Sequence, residues 1–309
     1  MTRFLILRML RALLTVALVH GFTFFALRAG TDIADQVLNW NGSAEAVAAF
    51  NERWGLDRPV WQQYLVSLGD LMRFDFGFSF RDGRPASAWV AERLPATALL
   101  SGSSFLLMIA VGIPLGILAA LHRGAPTDRM TMALATVGYS LPNFVLGLAL
   151  IYCFSVWLQW LPSSGSGSWR HMILPVIVAA SGGAAALARF ARSAMLDVMG
   201  QPYILAARAA GVPPREIVLR HALPNAAIPL VTFIGFAFGA TVGGAIVVET
   251  VFAWPGMGLA LSEAVGGGDL AIVQTMVILF ALVMVLANLL VDIAYGFLNP
   301  KIRLVSHDG

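Results

Sequence analysis

The sequence predicts an all-α integral membrane protein with six transmembrane helices. Of its 309 residues, 58% are hydrophobic and 12% are charged, whereas soluble proteins are about half apolar and a quarter charged. A transmembrane helix needs about 20 mostly apolar residues to cross a hydrocarbon core of about 30 Å. Long unbroken apolar runs lack the alternation of a transmembrane β-barrel. The six runs cover residues 10–27, 96–121, 130–157, 172–188, 226–248 and 271–295.

Basic residues indicate which way these spans cross the membrane. The loops at about 158–171 and 249–270 carry only Arg170. The other face carries Arg3, Arg8, Arg11, Arg123, Arg129, Arg189, Arg192, Arg208, Arg215, Arg220, Lys301 and Arg303. The positive-inside rule therefore places both termini and the segment between spans four and five in the cytoplasm. Because topology explains the net charge of +3, no basic patch remains to indicate a nucleic-acid partner.

Residues 201–225 form a polar segment between two apolar runs and predict a helical hairpin. The first helix runs from about Pro202 to Ala210 and stops at Gly211, which can adopt the left-handed conformation that ends helices. Pro214 can begin a second short helix, which ends before Leu223 and the proline that follows it. We interpret this hairpin as a docking element; an ordinary solvated loop is the alternative.

The hairpin resembles the cytoplasmic "EAA" loop of ABC importer permeases, and its ARA-x-G and H-x-L-x-N patterns resemble the dipeptide/oligopeptide/nickel branch of that binding-protein-dependent family. The resemblance implies that the loop, within residues 192–225, is the coupling helix that sits in a cleft of an ATPase subunit. The implied coupling residues are Ala206, Ala207, Arg208, Ala209, Gly211, Ile217, His221, Leu223, Pro224 and Asn225. Leu205 replaces the glutamate of the wider signature, so no salt bridge from that position is expected.

Residues 30–94 are the one sizeable hydrophilic segment, and the predicted topology places them outside the cell. Ser43 can cap a helix that reaches about Trp54, and residues 58–72 carry apolar side chains at helical spacing. The runs G-L-D-R-P and E-R-L-P-A-T are similar to the external region of the same branch, although the family's Pro-Gly-Asp-Pro step is replaced by residues 29–32. The resemblance implies a small cap domain that contacts a substrate-binding protein; a cap that packs only on its own subunit is the alternative.

Small residues and prolines mark the predicted spans. Gly235, Gly239 and Gly243 recur every four residues, so they share one helix face and allow another helix to approach closely. Spacing leaves open whether that helix belongs to this chain, but the resemblance favours a second, homologous permease. Spans two to five each contain a proline that tends to kink its helix: Pro114, Pro142, Pro175 and Pro229.

Three ionisable residues lie in or near the predicted hydrocarbon. Glu249 lies in V-V-E-T-V-F-A-W-P-G at the outer end of the fifth span, which is similar to the family pattern, and Asp292 lies near the inner end of the sixth. We interpret both acids as structural or gating groups, because acids near span ends usually pair with a cation or cap a turn; direct contact with substrate is the alternative. His20 lies mid-span, and we expect it to hydrogen-bond a neighbouring helix.

The sequence predicts no catalytic site and no metal site. The only lysine is Lys301, so a P-loop is absent, and the single cysteine, Cys153, cannot form an intrachain disulfide. The chain is therefore expected to bind no cofactor, and the resemblance implies that ATP and Mg²⁺ bind to partner subunits.

The resemblance covers essentially the whole chain and implies a type I ABC importer permease fold in a bacterial cytoplasmic (inner) membrane. The expected organisation is a first transmembrane helix at 1–29, a cap at 30–94, a permease domain at 95–300 and a cytoplasmic tail at 301–309. Implied partners are a second permease in a heterodimer, two ABC ATPase subunits, an extracytoplasmic substrate-binding protein and membrane lipid. The implied cargo is a peptide or related small solute. A self-sufficient secondary transporter or channel, and a structural subunit of a membrane assembly, are the alternatives.

Overall fold

The computed structural model describes residues 2–29, Ala34, Leu38 and 43–298, and this part of the chain contains no β-strand. Two π-helical stretches, Ile151–Trp157 and Ile217–Ala222, each continue the α-helix that precedes them. The helices are α1 (Thr2–Ala29), α2 (Ala44–Trp54), α3 (Val60–Met72), α4 (Ala86–Leu121), α5 (Pro126–Ser140), α6 (Asn143–Leu150), α7 (Arg170–Met199), α8 (Pro202–Ala209), α9 (Pro214–Glu216), α10 (Leu223–Val251), α11 (Met257–Gly266) and α12 (Leu270–Leu298). The predicted step at residues 30–32 and the tail at 301–309 lie outside the described residues.

Within the described residues, five helical segments are long and apolar enough to cross a membrane. They are Arg8–Ala29, Ala86–Leu121, Arg170–Met199, Pro214–Thr241 and Leu270–Leu289. A sixth crossing is possible if a bent pair, Pro126–Ser140 and Asn143–Trp157, counts as one span. The all-α membrane fold with six predicted spans thus agrees with the described helices.

The bent pair differs from the single kinked helix expected over residues 130–157. The helix direction bends by 104° between its two halves. Leu141 is extended there, with ψ 124°, because a residue before proline is driven out of the helical region. Pro142 is extended as well, with ψ 138°. The prolines of α4, α7 and α10 instead lie within continuous helices.

By its contacts the chain forms two compact units: Met1–Thr97 with Pro255–Val285, and Ala98–Trp254 with Leu286–Gly309. In the first unit the predicted start and end of α2 are confirmed. The Ser43 hydroxyl accepts a hydrogen bond from Ala46 N–H (3.2 Å), and Gly55 ends the helix at φ 64°. The buried core of this unit is Ala86, Met257, Ala260, Ala264, Ile272, Val273 and Met276.

Hydrogen bonds to two carboxylates, the buried Asp269 and the exposed Asp82, fix the loop between α3 and α4 in the first unit. Asp269 is 3% exposed and accepts hydrogen bonds from the Ser79 hydroxyl (2.5 Å) and from Phe80 N–H (3.2 Å). Burial opposes ionisation of Asp82, but hydrogen bonds from Arg84 N–H (3.0 Å) and the Trp89 indole (3.1 Å) outweigh it and lower the pKa of Asp82. These contacts hold the loop in one conformation.

The second unit is built around α7, which packs against α5, α6 and α10. Two glycines of α4 let that helix approach α7 closely. A Cβ on Gly112 would lie 2.9 Å from the Ala184 carbonyl oxygen. A Cβ on Gly116 would lie 2.6 Å from the Ala191 Cβ and closer still to the Ala188 carbonyl. No side chain fits at either position unless one of the helices shifts.

A buried ion pair joins α5 to α7. The Arg192 guanidinium donates two hydrogen bonds to Asp128, at 2.6 and 2.8 Å, and Gly124 N–H donates a third at 2.9 Å. The Asp128 residue is 3% exposed. This two-pronged geometry is the strong form of the arginine–carboxylate contact, so it fixes the start of α5 on α7.

Candidate functional site

The first arm of the predicted hairpin ends as expected, at a left-handed glycine. Gly211 has φ 79°. Val212 N–H donates to the Ala207 carbonyl (3.1 Å), and Gly211 N–H donates to the Arg208 carbonyl (3.0 Å). These two bonds form a Schellman motif, in which the residue after the glycine also packs against a residue in the last turn of the helix. The corner is therefore specified by Gly211 and stabilised by the partly buried Ala207 and Val212.

The second arm differs from the prediction, because it does not end before Leu223. The chain stays helical from Pro214 through the π-helical stretch and into α10. An α-helix would press the Pro224 ring against the carbonyl four residues earlier. The π turn, in which Leu223 N–H donates to the carbonyl of Val218, widens the helix at this point. The Asn225 amide then donates to the His221 carbonyl (2.7 Å).

Buried apolar residues anchor the hairpin to the end of α7. Ile204 and Ile217 are 0% and 2% exposed, and they belong to one cluster with Met195 of α7. Ala222 and Ala226 complete that contact. The hairpin is thus a packed element and not a loose loop.

The predicted coupling residues divide between the inner and outer sides of the hairpin. Ile217 is buried, and Ala207, His221 and Leu223 are half-buried. The exposed ones are Ala206, Arg208, Ala209, Gly211, Pro224 and Asn225. Large apolar side chains are exposed beside them: Tyr203 by 45%, Leu205 by 54% and Leu219 by 52%.

A groove of about 890 Å³ lies beside the hairpin and has a positive character. Its lining includes the guanidinium groups of Arg208 and Arg215 and the imidazole of His122, and none of the described residues that line it is acidic. On the outer side of α9, Glu216 pairs with Arg220 at 2.8 Å in an exposed contact, which contributes little stability. The surface around the hairpin is therefore both apolar and basic.

The predicted glycine face of α10 is only partly covered within this chain. Gly239 is buried, Gly235 is half-buried and Gly243 is exposed, with no atom within 4 Å of a Cβ built there. Of the predicted acids, Glu249 is 0% exposed. Asp292 lies in α12, but its side chain falls outside the described residues.

The remaining intramembrane prediction, that His20 bonds a neighbouring helix, is confirmed. The His20 ring lies 2.8 Å from the Gln274 amide nitrogen of α12 and 3.5 Å from the Ser67 hydroxyl of α3. Sequence reasoning missed Asp269 and the pair of Asp128 with Arg192, which lie 64 residues apart. It also missed Gly112 and Gly116, although their spacing of four was the signal that singled out the glycines of α10.

Comparison with known proteins identifies this architecture. Residues 112–304 match the family described as binding-protein-dependent transport system inner membrane component, and residues 1–101 match its N-terminal counterpart. The chain is 38% identical over 304 residues to the glutathione transport system permease protein GsiC of Escherichia coli (strain K12), covering 98% of this chain and 99% of that one. It is 40% identical over 298 residues to the same protein of Salmonella typhimurium, covering 96% and 97%.

The fold also has solved counterparts. A structure of inward facing conformations of the MetNI methionine ABC transporter matches with a TM-score of 0.59 at 21% identity, covering 69% of this chain and 97% of that one. A second crystal form matches with a TM-score of 0.58. The expected type I importer fold is thus confirmed, and family membership decides against a self-sufficient transporter, a channel or an assembly subunit. The chain belongs to the family of inner membrane components of binding-protein-dependent transport systems and is a permease subunit of an ABC importer.

Proposed function

We propose that this permease carries a peptide or a related small solute, with glutathione as a leading candidate, from an extracytoplasmic binding protein into the cell. Two separate ATPase subunits bind ATP and Mg²⁺ and supply the energy, and this chain binds no cofactor. Relatives named for glutathione transport, at 38–40% identity over 96–98% of the chain, support this class of cargo.

The hairpin of residues 201–225, within the predicted coupling loop of residues 192–225, is the element that docks on an ATPase subunit. The observation that carries this proposal is the exposure of Tyr203 and Leu205 on a short helix that ends at the Gly211 corner. Exposed apolar groups rimmed by polar ones are typical of protein interfaces. Because the second arm continues into α10 without a break, movement of the docked hairpin would pass directly into a membrane span.

Orientation and partners complete the proposal. The distribution of basic residues supports a multi-pass chain with both termini and the hairpin in the cytoplasm, where ATP is, and with residues 30–94 outside as a cap that contacts a binding protein. The open site at Gly243 supports close packing of α10 against a second, homologous permease in a heterodimer. In this scheme Glu249 and Asp292 are structural or gating groups.

The docking proposal is tested by substituting one exposed leucine in the hairpin and a matched one elsewhere. Leu205→Asp places a charge on the proposed interface, whereas Leu65→Asp changes a leucine of α3 that is 57% exposed, close to the 54% of Leu205. Burying an unpaired charge costs an interface heavily. We expect Leu205→Asp to reduce the ATPase recovered with the affinity-tagged permease by about tenfold or more, and Leu65→Asp to leave recovery unchanged.

The wild-type complex is then reconstituted in vesicles with its binding protein. We expect uptake of labelled short peptide or glutathione that requires hydrolysable ATP. Equal ATPase recovery with both variants would contradict docking through the hairpin. ATP-dependent uptake of neither solute would contradict the proposed cargo and leave the docking proposal standing.

A further inference from the structure

A polar cavity of about 200 Å³ lies within the first unit. It is an open cavity lined by α1, the end of α2, α3, the loop after α3 and the first half of α12. Its polar lining includes His20, Arg28, Arg58, Ser67, Asp70 and Gln274. A second lining carboxylate, Asp75, is exposed and accepts a hydrogen bond from Gly77 N–H (2.9 Å). The volume equals roughly seven water molecules at about 30 Å³ each, so the cavity suits a small solute better than an extended chain.

Part of this lining is held rigidly by its own hydrogen bonds. The Gln63 amide donates to the carbonyls of Leu56 (3.1 Å) and Arg58 (2.8 Å), while its oxygen accepts from Arg28 Nε (3.0 Å). On the other side, Gln274 contacts both His20 (2.8 Å) and the Ser67 hydroxyl (3.4 Å). The walls are therefore organised before any ligand arrives, which lowers the entropy cost of binding.

The charged groups of the lining are not matched to each other. Asp70 is half-buried, and in the part of the chain that the structure describes its carboxylate has no hydrogen bond and no ion pair. Arg28 stacks on the Phe24 ring at 3.6 Å and uses Nε on Gln63 and one terminal nitrogen on the Phe24 carbonyl. Arg28 and Arg58 both line the cavity. One cavity thus offers an unmatched carboxylate and guanidinium groups that form no ion pair with it among the described contacts.

A ligand that pairs with these charged groups needs one cationic group, one anionic group and a small volume. An ammonium group would donate to Asp70, and a carboxylate would accept from a guanidinium, the fork geometry that arginine provides for carboxylates. The Ser67 hydroxyl and the Gln274 amide add neutral hydrogen bonds near the same wall. We propose that this cavity binds a small zwitterion, a free amino acid or a dipeptide with both termini unblocked. The proposal rests on the proposed function for its cargo class and for placing this unit's cap outside the cell.

The test measures binding of labelled glycylglycine to the purified transporter complex in lipid nanodiscs at pH 7, without the binding protein. N-acetyl-glycylglycine lacks the ammonium, and glycylglycine amide lacks the carboxylate. Since a hydrogen bond to a charged group is worth a factor of about ten or more in affinity, each blocked compound should compete at least about tenfold more weakly than unlabelled glycylglycine. No saturable glycylglycine binding, or equal competition by all three compounds, would overturn the proposal.

A variant tests whether the ammonium group of the ligand binds to the Asp70 carboxylate. Asp70→Asn should weaken glycylglycine binding by about tenfold or more while leaving the weak binding of the N-acetyl compound unchanged, because that compound has no ammonium to lose. Asp57→Asn makes the same charge change at an exposed site outside the lining and should alter neither affinity. A thermal melt equal to that of the wild type confirms that each variant is folded.

An Asp70→Asn protein with wild-type affinity would overturn the assignment. Equal weakening of glycylglycine and its N-acetyl form would do so as well, because it would indicate a structural effect. A complex that retains its ATPase subunits and imports solute but binds no glycylglycine would refute this inference and leave the proposed function intact. A complex that binds glycylglycine but does not retain its ATPase subunits would support this inference and contradict the proposed function.

Discussion

Replacing Gly211 with valine isolates the backbone geometry of the hairpin corner. Gly211 has φ 79°, and no atom lies within 4 Å of a Cβ built on it. A Cβ there would meet no neighbour, so the penalty comes chiefly from the left-handed backbone. That penalty is about 1–2 kcal/mol for an ordinary L-residue and greater for a β-branched one. The native corner should lose population relative to other conformations by a factor of about 5–30.

A series of variants separates this effect from simple loss of glycine. Asparagine tolerates the left-handed conformation best after glycine, so Gly211→Asn should remain nearest to the wild type, Gly211→Ala should be intermediate and Gly211→Val should be most impaired. The assay is solute uptake per ATP hydrolysed in vesicles that contain equal amounts of complex. Because the corner joins the two arms of the hairpin, uptake should fall more than ATP hydrolysis does.

Two outcomes would refute this reasoning. Normal uptake by Gly211→Val at wild-type complex levels would show that the left-handed corner is not needed for coupling. Equal impairment by asparagine, alanine and valine would show that something other than backbone conformation is required at this position.

Two further predictions concern stability, measured by thermal unfolding of the detergent-solubilised chain. Gly116→Ala should destabilise by about 1–3 kcal/mol through overpacking against α7, whereas Gly102→Ala in the same helix, where the Cβ has open space, should not; equal melting temperatures would contradict the close approach. Asp128→Asn should lower the melting temperature because it leaves the half-buried Arg192 without its anion. Glu216→Gln breaks only an exposed pair and should change the melting temperature little. Similar changes for the two variants would contradict a stabilising role of the ion pair between Asp128 and Arg192.

Much of the fold follows from local signals in the sequence. Apolar runs indicate the spans, Ser43 marks the start of α2, and Gly211 marks the hairpin corner. Each of these effects arises within a few residues, and so it can be read from spacing alone. The hairpin was accessible to sequence reasoning for the same reason.

The features that sequence reasoning missed depend on what lies nearby in space. Pro142 separates two helices, whereas Pro175 lies inside a continuous one, so proline alone does not determine the outcome. Pro224 was expected to follow the end of a helix and is instead accommodated by a π turn. The ion pair between Asp128 and Arg192 joins residues distant in sequence, and no local pattern links them.

The π turn beside the hairpin rotates the side chains that precede it relative to those of α10 that follow it. A π turn is equivalent to one extra residue inserted in an α-helix, and each residue of an α-helix turns by about 100°. The side chains of Pro214–Glu216 therefore point about 100° away from the directions that an unbroken α-helix would give them relative to α10. Removing one residue from Ile217–Ala222 would swing the hairpin to a different side of the span. This single wide turn thus determines the direction in which the permease presents its hairpin.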